Sequence, residues 1–221
     1  MPNSKILNVK PFPPLTLKSL GDWDNGSWEG EVTMSFWQRF QNRSGPYCSQ
    51  ETDDAESFTI SIEAAGKQVP PTLEQAAAFE FLMLNHLRVQ EVVMDAAFTS
   101  YPNNRQDYRD GYGLTGATGK LLEVLERDYG STVPELASAA ELDKVMGLNQ
   151  IHILSYAKDG VAYIGFEFGC NWDEEHGFGI LMHKERIVEI GSAHVSFESV
   201  DEEGCVDLDE ERRNAPEPLL N

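Results

Sequence analysis

The densest run of chemically capable side chains is Cys170-Asn171-Trp172-Asp173-Glu174-Glu175-His176-Gly177. A thiol, three carboxylates and an imidazole fall within seven residues. Two kinds of chemistry are open to them. Asp173, Glu175 and His176 could hold a divalent metal, since imidazole and carboxylate are its usual nitrogen and oxygen ligands. Alternatively Glu175 and His176 could act as an acid–base pair, a carboxylate favouring the protonated ring. A purely structural role competes with both. Trp172 would pack over a turn, Asp173 would cap backbone amides in an Asx turn, and Gly177 would supply a positive φ. Binding through Trp172, Asp173, Glu174, Glu175 and His176 is a further expectation.

Other candidates are weaker. Gly111-Tyr112-Gly113-Leu114-Thr115-Gly116 matches G-x-G-x-x-G letter for letter. The dinucleotide fingerprint needs a hydrophobic strand directly before it, and Asn104 to Asp110 is polar. Gly119-Lys120 lacks the earlier glycine of a phosphate loop. There is no G-x-S-x-G and no His-Glu-x-x-His. Cys170 ends an apolar run and reads as a buried, inert thiol. His86, on an apolar helix face, reads as a packed histidine. Trp23, Trp28 and Trp37 have no basic residues among them and read as core or interface rings rather than a base-stacking platform. No cofactor is expected, and the pattern leans away from an enzyme.

Charge narrows the partners. There are 37 Asp and Glu against 17 Lys and Arg, a net charge of −20 over 221 residues. Nucleic acids and anionic lipid need clustered cations, so neither is an expected partner. A basic protein is, because the field raises its encounter rate. Cys48, Cys170 and Cys205 are an odd, widely spaced set, unlike a secreted disulfide framework. The first residues lead into no apolar stretch of signal-peptide length. A cytoplasmic location follows as the expectation.

The elements that must position the loop are α+β in order. Proline and glycine punctuate residues 1–26. Trp28, Gly30, Val32, Met34 and Phe36 alternate with polar residues, as do Phe58, Ile60 and Ile62, which predicts two paired strands. Thr72 and Gln75 form a capping-box pattern. Phe79, Leu82, His86, Val89, Val93 and Ala96 then trace one face of a long amphipathic helix ending near Tyr101-Pro102. Residues 103–119 read as loop, Lys120–Tyr129 as a short helix, and another helix is expected from Thr132 or Ser138 to Gly147.

From Leu148 the pattern becomes an antiparallel meander of about five strands. Lys158-Asp159-Gly160 makes its first hairpin turn and His194–Phe197 its last strand. Helices before the strands rather than between them argue against a doubly wound sheet. Four regions result: 1–102, a hairpin plus long helix; 103–130, a glycine-rich connection; 131–200, the C-terminal sheet; and 201–221, an acidic mobile tail.

The stretch Ala162 to Gly191, with its Phe168-Gly169-Cys170-x-Trp172-Asp173-x-Glu175-His176-Gly177 core and its Met182-His183-Lys184, resembles an uncharacterised bacterial domain-of-unknown-function family over about residues 130–197. The resemblance carries no activity. It implies small intracellular proteins, some encoded beside secreted polymorphic toxins, where acidic immunity proteins occur. The resulting expectation is a non-enzymatic binding module, of toxin-neutralising type, against the alternative of a metal-dependent hydrolase on Asp173, Glu175 and His176.

Overall fold

The computed structural model describes residues 6–18, 26–34, 57–64 and 69–198. Phe36, Trp23, Trp37, Cys48, Cys205 and the acidic 201–221 stretch lie outside them.

The protein is α+β. Among the described residues, eight strands form one sheet in chain order, β1 Ile6–Leu7, β2 Leu15–Lys18, β3 Ser27–Thr33, β4 Ser57–Glu63, β5 Met146–Lys158, β6 Val161–Cys170, β7 Phe178–His183 and β8 Arg186–Gly191. Every neighbouring pair is antiparallel except β4 and β5, which run parallel, with Ile60 opposite Ile151 and Ile62 opposite Ile153. Parallel neighbours need a crossover connection. Here it is the long helix α1, Leu73–Gly111, followed by α2, Gly119–Asp128, and 3₁₀ turns at Gly130–Thr132 and Ala139–Lys144.

The period-two pattern sets the burial of β3 and β4. Trp28, Val32, Phe58, Ile60 and Ile62 are buried, while Glu31 and Thr33 are exposed. Their buried faces join Ile151, Ile153, Ile164, Phe166, Phe168, Ile180 and Met182 in one core against Phe79, Leu82, Val89 and Val93 of α1. Trp28 is wholly enclosed, and its indole N–H donates to Val69 O at 2.7 Å. The β5–β6 hairpin turns at Asp159 (φ 49°) and Gly160 (φ 75°), the left-handed pair that an Asp-Gly hairpin calls for.

Gln75 joins helix and sheet. Its backbone N–H donates to Thr72 Oγ1 (3.2 Å) and its Oε1 accepts from Thr72 N–H (2.9 Å), the reciprocal box the sequence implies. Its Nε2 donates to Glu63 O (2.7 Å) at the end of β4 and to Leu154 O (3.0 Å) in β5. One side chain therefore starts α1 and bridges both parallel strands.

Several local expectations are corrected. Residues 6–7 and 15–18 add two short strands where only turns were expected. The helix does not end at Pro102; it runs on to Gly111, so 103–111 is helix and not loop. A proline removes one helical donor, but the turns beyond it are anchored from outside. Tyr101 Oη donates to Pro134 O (2.7 Å), Arg105 Nε to Val133 O (2.9 Å), and Arg109 pairs with Glu126. The break in α1 falls instead at Asn85 (φ −117°), whose Nδ2 donates to Phe81 O at 2.8 Å. The helix expected from Thr132 or Ser138 up to Gly147 is reduced to the short 3₁₀ turn Ala139–Lys144, and β5 already begins at Met146. His194–Phe197 is not a strand either. Ala193–Ser196 is a 3₁₀ turn lying on β6 and β7, so the meander has four strands, β5 to β8.

Candidate functional site

β6 ends at Cys170 and β7 begins at Phe178, so residues 171–177 form a turn at one end of the sheet. Its tethers are local and specific. Cys170 is buried, and its thiol donates to Asp173 O at 3.4 Å. Asn171 N–H donates to Val145 O (2.8 Å), and Asn171 Nδ2 to Thr132 O (3.2 Å). Asp173 Oδ1 accepts from His176 N–H (2.9 Å), an Asx turn, and Asp173 O accepts from Gly177 N–H (2.9 Å). Gly177 has φ +64°, and a Cβ there would sit 2.8 Å from Phe168 O, so glycine is required on two counts. His176 O accepts from Ala193 N–H at 3.0 Å, which ties the turn to the segment after β8.

The sequence-derived site residues divide within this turn. Trp172 packs edge-on against Tyr101 (centroids 5.5 Å) and Phe178 (5.4 Å). Asp173 approaches His176 Nδ1 at 3.0 Å. Glu174, Glu175 and His176 are exposed. Of the proposed metal set, Asp173 and His176 meet and Glu175 does not join them. Among the described residues no three His, Cys, Asp or Glu side chains gather as a metal site.

Trp172 and Asp173 are one wall of a cleft of about 600 Å³. The last part of α1 and its cap also line it, with Asn104, Asp107, Tyr108 and Tyr112, as does Ser192. The cleft exists because α1 continues past Pro102; a helix ended there would leave the turn facing solvent. Tyr112 stacks between Tyr108 (4.6 Å) and Tyr129 (4.5 Å). The Tyr108 phenol is raised above its ordinary pKa, first by burial, with the charges of Tyr112 and Glu174 adding to it. Asn104 Nδ2 is buried with no hydrogen-bond partner.

Tyr101 is buried against Trp172, and burial pushes its phenol up to about 12. The neutral phenol is the form that the fold favours. The stability it contributes is complete below its unfolded pKa of about 10 and is lost as pH rises from there through about 12. In an ultraviolet titration an ionisation step near 12 is expected, and Tyr101→Phe is expected to remove it. That step surviving in the variant would assign it elsewhere.

A second pairing escaped the sequence analysis. His152 Nε2 lies 2.9 Å from Glu167 Oε2, on the sheet face away from α1, with the Phe197 ring 5.3 Å from the imidazole. Counting back from the Lys158–Val161 turn would have set His152 directly opposite Glu167. The bulge between Ile153 and Ala157 shifts them to a diagonal, with Gly165 opposite His152. His183, the other meander histidine, is buried. Its Nε2 donates to Lys158 O (2.9 Å) and Val161 O (3.2 Å), and burial lowers its pKa.

Residues 28–197 match the family described as a domain of unknown function (DUF6985). The chain belongs to that family. The DUF6985 match begins at Trp28, so it takes in β3 apart from Ser27, β4 and the whole of α1, well beyond the 130–197 span that carried the resemblance. Both walls of the cleft fall inside the DUF6985 region. No curated protein and no solved structure matches the chain. Among the described residues no helix is long and apolar enough to cross a membrane.

Proposed function

We propose that this DUF6985 chain is a non-enzymatic binding module for a basic protein, of the toxin-neutralising kind. The observation that carries this reading is a net charge of −20 combined with an acidic, exposed rim, Glu174 and Glu175, at a rigidly tethered turn. Such a field attracts a cationic partner over a Debye length of about 8–10 Å and accelerates docking. The tethers of 171–177 favour recognition without rearrangement, since a turn already fixed loses little entropy on binding.

The test is calorimetric titration of the intact chain with basic nuclease-type toxin domains at about 0.05 M and about 0.5 M salt. Affinity is expected to fall by an order of magnitude or more across that range. Affinity indifferent to salt, or no binding at low salt, would overturn the proposal.

A further inference from the structure

The cleft between the end of α1 and the 171–177 turn has a composition that points to its occupant. Its volume, about 600 Å³, lies within the range of roughly 300–1,000 Å³ usual for sites that enclose a ligand group. Two carboxylates, Asp107 and Asp173, and the rings of Tyr108, Tyr112 and Trp172 line it, and no Lys or Arg does. The cations nearest in sequence are engaged elsewhere. Arg105 donates to Val133 O and pairs with Glu135, and Arg109 pairs with Glu126. Asp107 lies between these two arginines in the chain but on the cleft wall. Asp173 is occupied by its own turn and by His176, whereas Asp107 makes no hydrogen bond or ion pair among the described residues.

A carboxylate beside aromatic rings suits a flat, delocalised cation better than a compact ammonium. Guanidinium can bond a carboxylate through two parallel N–H groups and stack on a ring at the same time. Cation–π contact of this kind contributes about 0.5–2 kcal/mol, more where water is excluded. The wall also carries Asn104, whose buried Nδ2 lacks an acceptor. A peptide carbonyl beside an inserted side chain would supply one.

We propose that this cleft receives an arginine side chain of the basic protein partner, its guanidinium on Asp107 and against the Tyr108 and Trp172 rings. The proposal deepens the protein-binding reading and rests on it. A single inserted arginine taken out of its protein is expected to bind weakly, with a dissociation constant of about 1 mM.

The probe is the tripeptide acetyl-Gly-Arg-Gly-amide, titrated into the ¹⁵N-labelled full chain. The readout is the indole N–H resonance of Trp172, assigned by its absence in Trp172→Phe. A saturable shift is expected with the arginine peptide and none with its citrulline analogue, which keeps the shape and loses the charge. Asp107→Asn is expected to weaken the response about tenfold or more. Asp107 is exposed, so this variant should fold, which an unchanged thermal melt would verify. Equal response to citrulline, no saturable shift with arginine, or an unaltered affinity in Asp107→Asn would overturn the cleft assignment. None of these results would touch the wider protein-binding reading, which is judged by the salt dependence of whole-protein binding.

Discussion

Gln75→Ala is expected to destabilise the protein by about 3 kcal/mol, more than loss of a helix cap alone. Thr72→Ala removes only the hydroxyl acceptor at the start of α1, a change of about 1 kcal/mol. Gln75→Ala removes its half of the capping box and also the amide that serves Glu63 O and Leu154 O. Glu63 is the last residue of β4, and Leu154 lies in the bulge of β5, so each carbonyl has fewer ladder alternatives. Leaving a buried acceptor unsatisfied costs about 1–3 kcal/mol. Gln75 is completely enclosed, which keeps water from substituting. Chemical denaturation of both variants separates the contributions. If the two lost the same stability, the bridge between the parallel strands would be energetically empty.

Gly165→Ala is expected to be comparably damaging, at about 3 kcal/mol. A Cβ at this position would fall on the backbone carbonyl of Ser196, which cannot rotate aside as a side chain would. Overpacking of this kind ordinarily costs about 1–3 kcal/mol, and a backbone obstacle sits at the upper end. The strain would lift the 193–196 turn from the sheet. That turn carries Val195, which packs with Leu154, Tyr163, Leu181 and Val188 in a small second cluster. It also holds His176 O through Ala193 N–H. Hydrogen exchange should therefore accelerate at Ala193, Val195 and Phe197. Retention of both stability and slow exchange would show that the turn is not pressed against β6.

Much of the scaffold was legible in the sequence because its signals are local. Alternation placed Trp28, Val32, Phe58, Ile60 and Ile62 on the buried face. Thr72 and Gln75 announced the helix start, and Asp159-Gly160 announced the hairpin. The roles of Asp173 and Gly177 in the turn were also legible, because an Asx turn closed by a positive-φ glycine is written in a few consecutive residues. What escaped is non-local. Pro102 looks like a stop, but contacts of Tyr101, Arg105 and Arg109 with residues 126–135 help to carry the helix beyond it. The wall containing Asn104, Asp107 and Tyr108 was lost with those turns. The 193–196 turn alternates like a strand, but the missing side chain of Gly165 lets it cross over the sheet instead. The second purpose of Gln75 is likewise invisible locally, because Leu154 is distant in the chain.

The parallel contact between β4 and β5 also bears on how the molecule assembles. Strands β5 to β8 are joined by short connections and can zip sequentially at little entropic expense. Glu63 and Met146, by contrast, are separated by the entire helical crossover. Gln75 at the start of α1 reaches across both strands, so their joining is coupled to the docking of α1. The join between the two halves of the sheet is therefore expected to be a late event in folding, with the meander as the template on which the earlier strands are laid down.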